Sequence, residues 1–78
     1  MAMELRAEMA ANVWKISVRE GDAVDVGDTV VILESMKMEI PVAAEISGRI
    51  RQLHVREGQV VREGDLLATL EEPPPAGA

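Results

Sequence analysis

Few side chains in this sequence can carry covalent chemistry. It has no cysteine, no tyrosine and a single histidine, His54. Without cysteine there is no disulfide, no thiolate-held zinc and no thiol nucleophile. A lone histidine with no second histidine to share a metal reads as a solvated strand residue. The side chain whose setting calls for a reason is Lys37, held between Met36 and Met38. A lysine can accept an acyl group, but its ammonium has a reference pKa near 10.4 and is mostly unreactive at neutral pH. A partner enzyme must therefore take the proton and present an activated acyl donor. Exposure would let that partner surround the lysine, and methionines are adaptable surfaces to grip. The plainer reading is a surface lysine with two methionines dipping into the core, and position in the chain separates the two.

That position is the joint of an internal repeat. Shifted by 37 residues, Val18-Arg19-Glu20-Gly21 falls on Val55-Arg56-Glu57-Gly58, Val24 on Val61, Gly27-Asp28 on Gly64-Asp65, and Leu33-Glu34 on Leu70-Glu71. Ala7-Glu8 falls on Ala44-Glu45, and the alignment of 3–34 with 40–71 holds 11 identities in 32 positions. Between the copies lies Ser35-Met36-Lys37-Met38-Glu39. In a pseudo-symmetric domain such a joint sits near the symmetry axis, with the termini at the opposite end.

The elements that must hold this joint are strands. Leu5, Ala7 and Met9 alternate with polar residues, as do Trp14, Ile16 and Val18, the period of a half-buried strand. Thr29 to Glu34 is a β-branched apolar run, and the second copy repeats the pattern at Val42 to Ile46, Arg49 to Val55 and Leu66 to Leu70. Gly21, Gly27, Gly58 and Gly64 mark turns, and Gly48 also reads as structural. Pro41 suits an edge or a strand start. Each copy is too small to bury its own apolar face, so two copies packed face to face predict an all-β flattened barrel or sandwich with pseudo-twofold symmetry. The joint then becomes a tight hairpin between Thr29–Glu34 and Ile40–Ile46. Such turns favour glycine, asparagine and aspartate, and this one has none. On its alternation Trp14 is assigned to packing, where one large side chain would matter in a small core.

Composition narrows the function further. The chain has 78 residues, enough for one small domain, and a formal net charge of −6. Excess acid disfavours nucleic acid, whose phosphates need lysine and arginine. The near-absence of aromatics removes stacking platforms for single strands. No apolar run approaches the ~20 residues of a membrane span, and no segment reads as a signal peptide, so a cytoplasmic location and no membrane partner are expected. Nothing in the composition calls for an oligomer, and a monomer is expected. No nucleophile–base pair and no phosphate-cradling glycine loop is visible, which argues against a self-contained enzyme. Residues 72–78, Glu-Pro-Pro-Pro-Ala-Gly-Ala, read as a Pro-rich disordered tail.

Over residues 3–71 the chain resembles the biotinyl/lipoyl attachment domains. Glu34-Ser35-Met36-Lys37-Met38-Glu39 looks like the attachment site of biotin carboxyl carrier proteins. Val18-x-x-Gly21-Asp22-x-Val24-x-x-Gly27-Asp28 is similar to the family's lead-in, and Val55-x-x-Gly58-x-x-Val61-x-x-Gly64-Asp65 to its C-terminal echo. The resemblance implies a barrel-sandwich hybrid of two four-stranded antiparallel sheets with the modified lysine on a hairpin, here Lys37. It implies that biotin protein ligase joins biotin to Lys37, and that Met36, Met38, Glu34, Ser35 and Glu39 form the ligase's recognition surface. The non-catalytic carrier would then shuttle carboxybiotin between a biotin carboxylase and a carboxyltransferase. Methionines on both sides of the lysine point to biotin, since lipoyl domains more often carry Asp-Lys-Ala. Lipoate on Lys37 stays the alternative cofactor, and an unmodified barrel acting as a protein-binding module is the alternative of another class. The sequence departs from the family at Ser35, where alanine is commoner, and at Glu8-Met9-Ala10-Ala11, which replaces a frequent Pro-Met-x-Gly. Val13 to Gly21 is too short to hold the protruding thumb of some bacterial carriers, so the chain most resembles stand-alone, single-domain attachment proteins. By their charge alone Glu34, Glu39, Glu45, Asp25 and Asp28 read equally as steering charges or as solvated outward positions.

Overall fold

The computed structural model describes residues 2–72, and the tail assigned to 72–78 lies outside them apart from Glu72. Eight strands follow in order: β1 Ala2–Arg6, β2 Ala11–Ile16, β3 Ala23–Val24, β4 Thr29–Ser35, β5 Met38–Ala43, β6 Gly48–Leu53, β7 Val60–Val61 and β8 Leu66–Glu71. They form two four-stranded antiparallel sheets, ordered β1-β8-β6-β3 and β5-β4-β2-β7. Exchanging the two copies of the repeat converts one order into the other.

The exchange holds bond by bond. Ala7 N–H donates to Asp65 O (2.9 Å) and Ala44 N–H to Asp28 O (2.8 Å). Gly21 N–H donates to Ile50 O and Gly58 N–H to Val13 O, both at 2.7 Å. Carboxylates follow the same rule. Ile16 N–H donates to Glu57 Oε2 (3.0 Å) and Leu53 N–H to Glu20 Oε2 (2.9 Å), so each copy satisfies an amide of the other. The turn closed by Asp22 N–H on Arg19 O needs a positive φ at its third residue, Gly21 at +94°, and the turn at Gly58 repeats it at +89°.

The core lies between the inner faces of the sheets. Leu33, Ile50, Leu67, Leu70, Val13, Val30, Val31 and Val61 are fully buried, and Val13/Ile50, Val30/Leu67 and Leu33/Leu70 are repeat-related pairs. The copies do not stack face to face as expected: each sheet takes two strands from each copy, and the inner faces of these mixed sheets bury one another.

Two assignments from alternation are corrected. Trp14 is not a core residue: it is 48% exposed, while Val13 beside it is buried. The pairing of β2 with β4 shifts between Val13 and Lys15, so Trp14 and Lys15 together oppose Ile32. Such a bulge puts an extra residue on one face and breaks the period of two. Met9 also leaves the face of Leu5 and Ala7. β1 ends at Arg6, the chain bends, and Met9 is 42% exposed. His54 is partly buried rather than fully solvated, its Nε2 lying 2.8 Å from Thr69 Oγ1.

Candidate functional site

The hairpin of β4 and β5 is built by its ladder. Leu33 pairs with Ile40, Glu34 with Glu39 and Ser35 with Met38, leaving only Met36 and Lys37 outside it. The five-residue joint thus shrinks to a two-residue loop. Met36 has φ +52° and Lys37 φ +66°, and among the described residues these are the only non-glycine positions with positive φ. Positive φ at both central residues marks a type I′ turn, whose twist matches that of the flanking strands. An L-residue in this region costs roughly 1–2 kcal/mol, which is why asparagine and glycine dominate there. The ladder holds two unbranched side chains in a conformation neither prefers.

Geometry at the tip is simple. Lys37 is exposed, Met36 is 93% exposed and Met38 65%, so neither methionine dips into the core. Glu34 and Ser35 are half-buried and Glu39 is exposed. All six residues Glu34 to Glu39 are therefore gathered in one loop and its first two pairs. The repeat relates this turn to the paired ends of β1 and β8. Glu34↔Glu39 corresponds to Glu71↔Ala2 in the β8–β1 pairing, where no turn joins the strands.

The rest of the surface offers little chemistry. A groove of about 270 Å³ runs between the edge strands β1 and β5, lined by Leu5, Met9, Ile40 and Val42 with Arg6, Glu8 and Glu45 at its rim. Among the described residues no three His, Asp or Glu side chains are placed to hold a metal. Glu20 and Glu57 were not legible as structural residues, although their matching places in the repeat were the available signal.

A small two-sheet barrel thus presents Lys37, exposed, at the tip of a strained hairpin. A family model described as "biotin-requiring enzyme", the biotin/lipoyl family, matches residues 1–70, and the chain belongs to that family. Biotinylated protein TB7.3 of Mycobacterium tuberculosis is 62% identical over 42 residues, which are 54% of this chain and 59% of the relative. The biotin/lipoyl attachment protein of Bacillus subtilis is 52% identical over 40 residues, 51% of this chain and 55% of that protein. The matched segments thus span somewhat more than half the length of these relatives. In three dimensions the Kluyveromyces lactis urea carboxylase superposes with a TM-score of 0.86 at 37% identity, over 91% of this chain and 6% of that one.

Proposed function

We propose that this chain is a biotin carrier of a biotin-dependent carboxylase system, acylated at Lys37 Nζ by a biotin protein ligase. The observation that carries this reading is the tip itself. A type I′ turn made of Met36 and Lys37 costs folding energy that Asn-Gly would not, and an amine presented at a fixed angle is the return. Lys15, the second lysine of the sequence, is also exposed but lies on strand β2 beside the bulge and not at a turn. In the transfer, Nζ attacks the carbonyl carbon of biotinyl-adenylate, the bond to phosphate breaks, adenylate leaves and the nitrogen gives up a proton. The site fits such a group: Lys37 is exposed at the tip, and the exposed Met36 and Met38 offer apolar surface beside the new amide.

Bound biotin would supply a carboxyl-carrying ring on a long tether. The chain's own part is to hold the tether's root rigidly and keep it clear of the barrel. Mobile cargo on such an arm visits separate active sites at an effective concentration of roughly mM. The partners are then a biotin carboxylase and a carboxyltransferase, and the carrier contributes no acid–base group. A cytoplasmic location, where ligase and carboxylase substrates meet, accords with this role.

Incubation with biotin protein ligase, biotin and ATP tests the reading by intact mass. One biotin less one water should be gained, and Lys37→Arg should gain nothing. A wild-type chain that stays unlabelled beside a labelled positive control overturns it. Labelling by lipoate ligase alone would transfer the reading to lipoate.

A further inference from the structure

The two sheets have the same fold and different outer faces. On the sheet of the hairpin, Trp14 and Lys15 oppose Ile32, and Ile32 pairs with Pro41. On the other sheet the repeat-related positions are Arg51 and Gln52 opposing Thr69, and Thr69 pairs with Glu4. The bulge, the register and the core are alike, so folding does not require an apolar outer face. The outer face of one sheet nevertheless carries Trp14, Lys15, Ile32 and Pro41 where that of the other carries Arg51, Gln52, Thr69 and Glu4. Trp14 is the only aromatic residue of the sequence and it is 48% exposed.

The carboxylates differ in the same way. Glu71 lies 3.8 Å from the Arg51 guanidinium. Its counterpart Glu34 has Trp14 in the arginine's place and sits directly opposite Glu39. Like charges opposed across a ladder are destabilising, and among the described residues neither glutamate has a cation within 4.0 Å. This face thus carries Trp14, Ile32 and Pro41 beside a single cation, Lys15, in its middle, and two unpaired carboxylates toward the hairpin.

We infer that the outer face of this sheet, centred on Trp14 and Ile32, is the docking surface for the enzyme that loads Lys37, through an apolar recess for the indole and a basic rim for Glu34 and Glu39. The inference rests on the carrier reading and deepens it. Reach selects the loading enzyme over later ones. Before modification the amine stands on a four-carbon stem, so the enzyme's active site must come down onto the hairpin itself. Ile32 lies about 10 Å along β4 from Ser35, and Trp14 one strand, about 5 Å, to the side. A standard interface of about 800 Å² on each partner that covers the turn reaches both. Exposed tryptophans at such places are the residues that most often dominate binding. Once loaded, the tether extends well past the hairpin, and later enzymes need not touch this face.

Trp14→Arg and Ile32→Thr test this, because each installs a residue that the other copy already carries at that place. Biotin protein ligase is the probe, and thermal unfolding verifies that both variants fold. The kcat/KM for biotinylation should fall about tenfold or more, through KM. In the Lys37→Arg background, Trp14→Arg should weaken the ligase's Kd by a similar factor. Arg51→Gln, on the opposite face, should leave both unchanged. Wild-type kcat/KM in both folded variants overturns the inference while leaving the carrier reading in place. A wild-type chain that takes no biotin overturns the carrier reading and this inference with it.

Discussion

Replacing Met36 by asparagine should stabilise the domain while making Lys37 a poorer ligase substrate. Met36 holds φ +52° and is 93% exposed, so the substitution removes almost no buried surface. Its main effect is on the backbone. Left-handed conformation costs an ordinary L-residue roughly 1–2 kcal/mol, and asparagine much less, so a gain of about 1 kcal/mol is expected. In a domain of this size that raises Tm by about 4–8 °C. Met36→Leu keeps an apolar side chain and the same backbone cost, and its Tm should match wild type. The assay is thermal unfolding by circular dichroism, paired with the rate of biotinylation by ligase. Opposed changes, stability up and labelling down, are the signature of a turn kept for its surface rather than for folding. A Tm for Met36→Asn at or below that of wild type would refute the strain argument.

The remaining predictions concern what holds the hairpin. Leu33→Ala, at a fully buried site behind the loop, should lose about 2–5 kcal/mol in urea unfolding, a large part of the stability of so small a domain. Glu57→Ala frees the Ile16 amide at the bulge and should lose about 1 kcal/mol, with Glu20→Ala losing a similar amount at Leu53. Gly48→Ala should lose about 1–3 kcal/mol, since an added Cβ would meet the backbone carbonyl of Glu71 and push β6 from β8. Equal stability of Gly48→Ala and wild type would show that β8 can shift at no cost.

Much of this architecture could be read from the repeat. Two copies that cannot each bury an apolar face imply two sheets and a joint hairpin, and Lys37 at the joint follows. Local periodicity failed where the chain breaks its own alternation. The bulge at Trp14 turns an expected core residue outward, yet its repeat mate Arg51 already signals a position that is not buried. β3 and β7 have two residues each, too few for any periodic signal. The opposed glutamates and the apolar outer face needed the strand register, because they arise from residues distant in sequence.

The family and the shape of the tip come together at one atom, Lys37 Nζ. Tandem mass spectrometry of the chain after labelling with biotin protein ligase tests the central claim most directly, because the sequence has only two lysines to choose between, Lys15 and Lys37. The expected result is a biotin-bearing peptide that spans Glu34 to Glu39 with the added mass on Lys37, and an unmodified Lys15. Biotin on Lys15, or on neither lysine beside a labelled control carrier, would contradict the account.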